Sequence, residues 1–146
     1  MDVDRIERDV LINASQQRVW NALTSAEHLG TWFGDAGATV SRLEPGGEVT
    51  LTWAEHGTGR AIIEKVEPES FFSWRWSGPL GPDPVPGNAT LVEFTLTPKD
   101  GGTLLQVVES GFTQLDLPSE DQERYASGNV DGWGHELDEL REYLEK

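Results

Sequence analysis

The stretch Pro118 to Lys146, PSEDQERYASGNVDGWGHELDELREYLEK, decides how this chain folds. Ala126, Val130, Trp133, Leu137, Leu140 and Leu144 recur at spacings of four, three, four, three and four. That spacing lines them up on one face of an amphipathic helix of roughly 25 residues. Glu136, Asp138, Glu139, Arg141, Glu142 and Glu145 fall between them and are expected to face water. Ser119, with Gln122 three residues later, reads as a capping box that opens the helix. So long a helix with one apolar stripe needs a large partner surface, and the rest of the chain has to supply it.

The residues before the helix alternate as strands do. Thr103 to Ser110 carries Leu105 and Val107 on one parity, and Thr90 to Thr97 carries Val92, Phe94 and Leu96. Lys99-Asp100-Gly101-Gly102 is the turn between them. Arg60 to Val66 and Phe71 to Trp76 read as two more strands across Glu67-Pro68-Glu69. Glu48 to Trp53 alternates Val49, Leu51 and Trp53 with threonines, and ends in the turn His56-Gly57-Thr58-Gly59. Ala38 to Leu43 is a strand closed by Glu44-Pro45-Gly46-Gly47. Ser77 to Asn88 holds Pro79, Pro82, Pro84 and Pro86, too long for a hairpin turn and too rich in proline for a strand. It is expected to be a stiff flap at the sheet's rim.

At the N-terminus, Asp4 to Asn13 shows Ile6, Val10 and Ile12 on one face. Ser15 is the expected N-cap of a short helix with Val19 and Leu23 at i and i+4. Thr24 and Glu27 suggest a second capping box before Leu29, Trp32 and Phe33. One early strand, two short helices, six strands joined by tight turns and a long last helix make an α+β chain with a seven-stranded antiparallel sheet. The length of 146 residues suits a single domain, 1–146.

Composition narrows the function. The formal net charge is −15, and the eleven basic residues are scattered. A nucleic-acid binder needs a basic footprint to displace phosphate counterions, so that class is excluded. No run of about 18 apolar residues offers a membrane span. The charged start Met-Asp-Val-Asp-Arg lacks the apolar core of a signal peptide, and there is no cysteine. Together these features predict a cytoplasmic protein without disulfides. Gly57-Thr58-Gly59 lacks the Lys of a phosphate loop, and no Gly-x-Ser-x-Gly is present. His28, His56 and His135 have no mutual ligand spacing, so neither a metal nor a cofactor is expected.

Two groups of residues are candidates for a site. Phe72, Trp74 and Trp76 share a strand face, with Phe94 and Trp53 on the same side of the sheet. They either fill a core under the helix or line a cavity beside Gly128, Gly132 and Gly134. Val130, Trp133 and Leu137 would form the helix wall. Glu109 has the parity of Leu105 and Val107 and should point inward, and Glu64 lies similarly between Ile62 and Val66. A buried carboxylate must be paired, hydrogen-bonded or protonated. Glu109 therefore caps backbone, pairs with Arg75 or Arg60, anchors a ligand or acts as a general acid or base. Gly111-Phe112 and the residues to Leu117 are expected to be a portal.

In order and spacing these pieces resemble the Hsp90 ATPase activator homologue-like family, in the START-like (SRPBCC) helix-grip superfamily. The resemblance runs from Ile12-Asn13-Ala14-Ser15 and Val19-Trp20 through Trp32-Phe33, Val66-Glu67-Pro68 and the Phe72, Trp74, Trp76 strand. Glu109-Ser110-Gly111-Phe112 and Gly132-Trp133 complete it. It implies a sheet curled around the last helix and a hollow that holds small apolar molecules in many relatives. The expected occupant is a small hydrophobic ligand: a lipid, polyketide or flavonoid-like molecule. The family name adds a second expectation, a stress-related chaperone partner. A third is a cyclase- or hydrolase-type enzyme using Glu109. Monomer and homodimer both stay open.

Overall fold

A computed structural model describes residues 4–55 and 57–145. The elements run β1 (Arg5–Ile12), α1 (Gln16–Thr24), α2 (Ala26–Trp32), β2 (Ala38–Val40), β3 (Glu48–Trp53), β4 (Gly57–Glu67), β5 (Phe71–Ser77), β6 (Ala89–Lys99), β7 (Gly102–Ser110) and α3 (Ser119–Glu145). The seven strands form one antiparallel sheet in the order β1-β7-β6-β5-β4-β3-β2. The first strand thus leaves the meander and pairs with the last, and the sheet stays open between β1 and β2. This is the helix-grip architecture, with the sheet curled around α3.

Alternation accounts for the inner face. Ile6, Val10 and Ile12 of β1, Leu105 and Val107 of β7, and Val92, Phe94 and Leu96 of β6 are buried with Phe72 and Trp74 of β5. From below, α3 contributes Ala126, Trp133, Leu137, Leu140 and Leu144, all buried. The β6–β7 hairpin turns on Asp100 and Gly101, both at positive φ. Those angles match the right-handed twist of paired strands, which keeps Lys99 opposite Gly102.

Several local expectations are corrected. Ser119 lies inside α3, and the Pro118 carbonyl accepts from the N–H groups of Asp121 and Gln122. The Gln122 amide reaches back instead to the carbonyls of Leu115 (2.8 Å) and Thr113 (3.3 Å). Thr24 does not cap α2: it is the buried end of α1, and its hydroxyl donates to the Trp20 carbonyl at 2.8 Å. Ser15 does cap α1, accepting from the Arg18 N–H at 3.2 Å. Strand β2 stops at Val40, short of Leu43. Gly57, Thr58 and Gly59 belong to β4, with Gly57 opposite Trp53. His56, expected in the turn, lies outside the described residues.

Glu64 is the largest departure. The β4–β5 register shifts between Ile63 and Lys65, so one extra residue is inserted there. Ile63 and Val66 both turn toward the core, and Glu64 is left outside, paired with Arg75 Nε at 2.6 Å. The proline-rich connection is organised by one buried amide. Asn88 accepts from the Leu80 N–H at 2.9 Å and donates to the carbonyls of Asp83 (2.9 Å) and Gly81 (3.1 Å). The flap is tied to the sheet where Asp83 pairs with Arg60. No described helix is long and apolar enough to cross a membrane.

Candidate functional site

Glu109 is fully buried near the end of β7, opposite Val92 on β6 and Ile6 on β1. Four neutral groups donate to its carboxylate. Oε2 accepts from the Thr90 hydroxyl at 2.6 Å and the Trp76 indole at 2.8 Å. Oε1 accepts from the Trp133 indole and the Asn129 amide, both at 2.9 Å. A carboxylate offers about four lone-pair directions, and here each oxygen takes two donors. The strands β5, β6 and β7 are thereby stitched to α3 through one side chain.

Neither expected arginine reaches this group. Arg75 lies between Trp74 and Trp76, so alternation sends it outward to Glu64. Arg60 donates to Glu48 from Nε at 3.0 Å and also pairs with Asp83. These contacts, the Glu48 hydrogen bond first, hold its guanidinium above its ordinary pKa. Nor does Glu109 cap backbone among the described contacts. Its charge is felt next door: burial first, and then Glu109, push the Tyr125 phenol up to about 12, against an opposing Asn129 hydrogen bond.

Beside this node lies a cavity of about 690 Å³, between β3, β4 and β5 on one side and α3 on the other. Trp53, Trp76 and Trp133 line it, with Phe33 from the end of α2. Trp76 and Trp133 stack with centroids 5.4 Å apart. Phe33 lies 5.4 Å from Trp53, 5.5 Å from Trp133 and 5.9 Å from Trp76. The Trp53 indole donates to the Phe33 carbonyl at 2.9 Å, which locks that corner. Gly128 and Gly132 open onto the space, with nothing within 4 Å of where a Cβ would stand. Gly134 faces elsewhere, toward Arg8.

The other expected residues sit around the cavity rather than on its wall. Phe72, Trp74 and Phe94 are fully buried and pack edge-on or stacked at 5.1–6.1 Å. Leu137 is buried in the core, and half-buried Val130 packs against that core, its carbonyl accepting from Arg8 Nε at 3.4 Å. Phe112 is buried edge-on to Tyr125 at 6.0 Å, in a 3₁₀ turn pinned by Asp4, whose carboxylate accepts from the Thr113 hydroxyl at 2.6 Å.

Sequence reasoning placed Gly132 beside the cavity but missed the second helix stripe to which it belongs. Tyr125, Asn129, Gly132 and Glu136, spaced four, three and four, all line the cavity. Each precedes a member of the apolar stripe by one residue, so the signal was present as a shifted copy of it. Glu136, expected in water, is half-buried, and its Oε2 is buried with no hydrogen-bond partner. Burial first, then repulsion from Glu139 and Asp35, push its carboxyl up to about 8. Spacing among the three histidines says nothing of their acidic neighbours. In the fold His135 joins Glu136 and Glu139, with donor atoms within 4.8 Å, and its Nε2 lies 2.9 Å from Glu139.

Comparison with the curated proteins returns no match. Among solved structures, protein MLL2253 of Mesorhizobium loti is 25% identical, with a TM-score of 0.79 over 97% of this chain and 96% of that one. DynU16, from the dynemicin biosynthetic locus, is 24% identical with a TM-score of 0.74; it covers 99% of this chain, which spans only 48% of it. The Aha1 dimer of Colwellia psychrerythraea is 18% identical, with a TM-score of 0.73 over 98% and 97%. The family model described as Activator of Hsp90 ATPase homolog 1-like protein matches residues 13–145, from the end of β1 to the last turn of α3, and the chain belongs to that family.

Proposed function

We propose that this chain is a cytoplasmic binding module that holds a small hydrophobic molecule between its sheet and α3. The cavity carries the reading. Its volume suits a drug-sized molecule, its walls are mainly aromatic, and a few polar groups, Asn129, Tyr125 and Glu136, could fix orientation. Lipids, polyketides and flavonoid-like molecules are the classes to try. Tryptophan fluorescence and thermal-shift titration with such a panel test it, alongside native mass spectrometry of freshly purified protein. Quenching with a raised melting temperature, or a co-purifying small molecule, is the expected result. No response across the panel and a bare protein mass would end the proposal.

A second reading rests on the family description alone: a partner of an Hsp90-type chaperone. An ATPase assay with the host chaperone decides it, and an unchanged rate removes it. Catalysis by Glu109 has least support. Its lone pairs are already taken by four donors, so it would have to release one before accepting a proton from substrate.

A further inference from the structure

Carboxylates outnumber basic groups on the wall of this cavity. Asp35, Glu55 and Glu136 all belong to its wall. Behind Trp76 and Trp133, Glu109 adds a carboxylate held only by neutral donors. Arg60 and His135 stand on the same wall, and both are engaged. Arg60 is held by Glu48 and Asp83, and His135 by Glu139. Between these carboxylates stand the faces and edges of four aromatic rings. Aromatic faces attract cations electrostatically, the more so when water is excluded.

Glu136 singles out a position within that field. One of its oxygens is buried in the wall without any partner. An unpartnered buried acceptor is unfavourable, so the fold leaves hydrogen-bonding capacity of this side chain unused beside the cavity. Around it, Glu136 faces Glu139 and His135 on its own helix and Asp35 from the α2–β2 connection, with Glu55 and Arg60 also on the cavity wall. Every anion in that set raises the need for positive charge at this spot, and Arg60 and His135 are each engaged with other carboxylates.

Resting on the binding-module reading above, we propose that the ligand is an aromatic or polycyclic amine. Its rings pack among Phe33, Trp53, Trp76 and Trp133, and its protonated nitrogen sits on Glu136 within the field of Asp35 and Glu55. A carboxylic acid of the same shape is rejected. Below about pH 8 the arriving ammonium displaces the proton that burial keeps on Glu136, so amine affinity climbs as pH is raised toward that value.

Three probes on one frame test this: 9-(aminomethyl)anthracene, 9-anthracenemethanol and anthracene-9-carboxylate, titrated by tryptophan quenching and calorimetry at low and high salt. The amine is expected to bind about tenfold tighter than the alcohol, equivalent to about 1.4 kcal/mol. The carboxylate should be the weakest, and the amine's advantage should shrink as salt screens the exposed carboxylates. In Glu136→Gln the amine-to-alcohol ratio should fall toward one, whereas Asp138→Asn, an equal charge change on an exposed position of α3, should leave it intact. Equal binding of amine and alcohol, or an unaltered ratio in Glu136→Gln, overturns the cation assignment while the apolar-cavity reading stands. Binding by none of the three removes both.

Discussion

From Leu137 to Glu145, α3 meets the protein through Leu137, Leu140 and Leu144, each no more than 5% exposed. This end is also tied down by hydrogen bonds. Arg18 donates to the Leu144 carbonyl at 2.9 Å, Glu145 accepts from the Asn13 N–H at 2.8 Å, and His28 contacts the Tyr143 hydroxyl at 2.6 Å. From Tyr125 to Glu136 the same helix carries two glycines, an asparagine and a glutamate on its cavity side, and leaves a space of about 690 Å³. One half is packed and the other is open, although both face one continuous sheet. A helix long enough to be held firmly at one end can leave the other underpacked, and the open end is then free to take a ligand.

The largest effect is expected in the packed half. Leu140→Ala empties a fully buried site and should destabilise by about 3 kcal/mol in urea unfolding, within the usual range for such truncations. A loss under about 1 kcal/mol would mean that the leucine end is not packed as described, and the contrast would fail. Next comes the node that joins the halves. Glu109→Gln keeps the shape but sets an amide NH₂ against two donors, at a cost of about 2 kcal/mol. It should also lower the pKa of Tyr125 by removing one of the two influences that raise it, seen as earlier phenolate absorbance in an alkaline titration. An unchanged tyrosine titration would show that Glu109 does not act on the Tyr125 phenol, and the link between node and cavity would fail.

The strands and the packed half of α3 could be read in the sequence because each side chain there reports its own face. Leu140 and Leu144 lie on the apolar period, and Glu109 follows the parity of Leu105 and Val107 into the interior. What could not be read depends on relations between segments. The donors to Glu109 come from β5, β6 and two turns of α3, which no spacing along the chain reveals. Glu64 was misplaced because a bulge resets the parity after Ile63 without any glycine or proline to mark it. The sequence pattern puts Glu136 in water because polar residues flanking an apolar stripe are usually solvated. Only the glycines one and two turns earlier, with the aromatic wall facing them, make that flank the inside of a cavity.

The next effect is a pH dependence confined to the open half. The Glu136 carboxyl is raised from its ordinary 4.5 to about 8, by burial first and then by Glu139 and Asp35. The folded protein therefore holds a proton that the unfolded chain releases above about 4.5. The stabilisation is complete below that pH and is lost as pH climbs through about 8. Solvent screening of this half-exposed group limits the amplitude to about 1 kcal/mol. Glu136→Gln should flatten the melting temperature across this window and gain on the wild type at the alkaline end. Parallel pH profiles for the two proteins would show that Glu136 is not strained by its position.

The smallest effect bears on why the open half is open. Gly132 sits inside a helix, where glycine is less stable than alanine by about 0.5–1 kcal/mol. A Cβ there would meet nothing within 4 Å, so Gly132→Ala should raise stability by about that amount, a few degrees in melting temperature. The substitution also adds a methyl group to the cavity wall. If the glycine is there to set the width of the cavity, the alanine protein should be more stable and bind the anthracene probes more weakly, and Gly132→Leu should abolish their binding in a protein that remains folded. Gain of stability with undiminished binding in both variants would place the ligand away from α3, and the helix's open half would then be a packing defect rather than a wall.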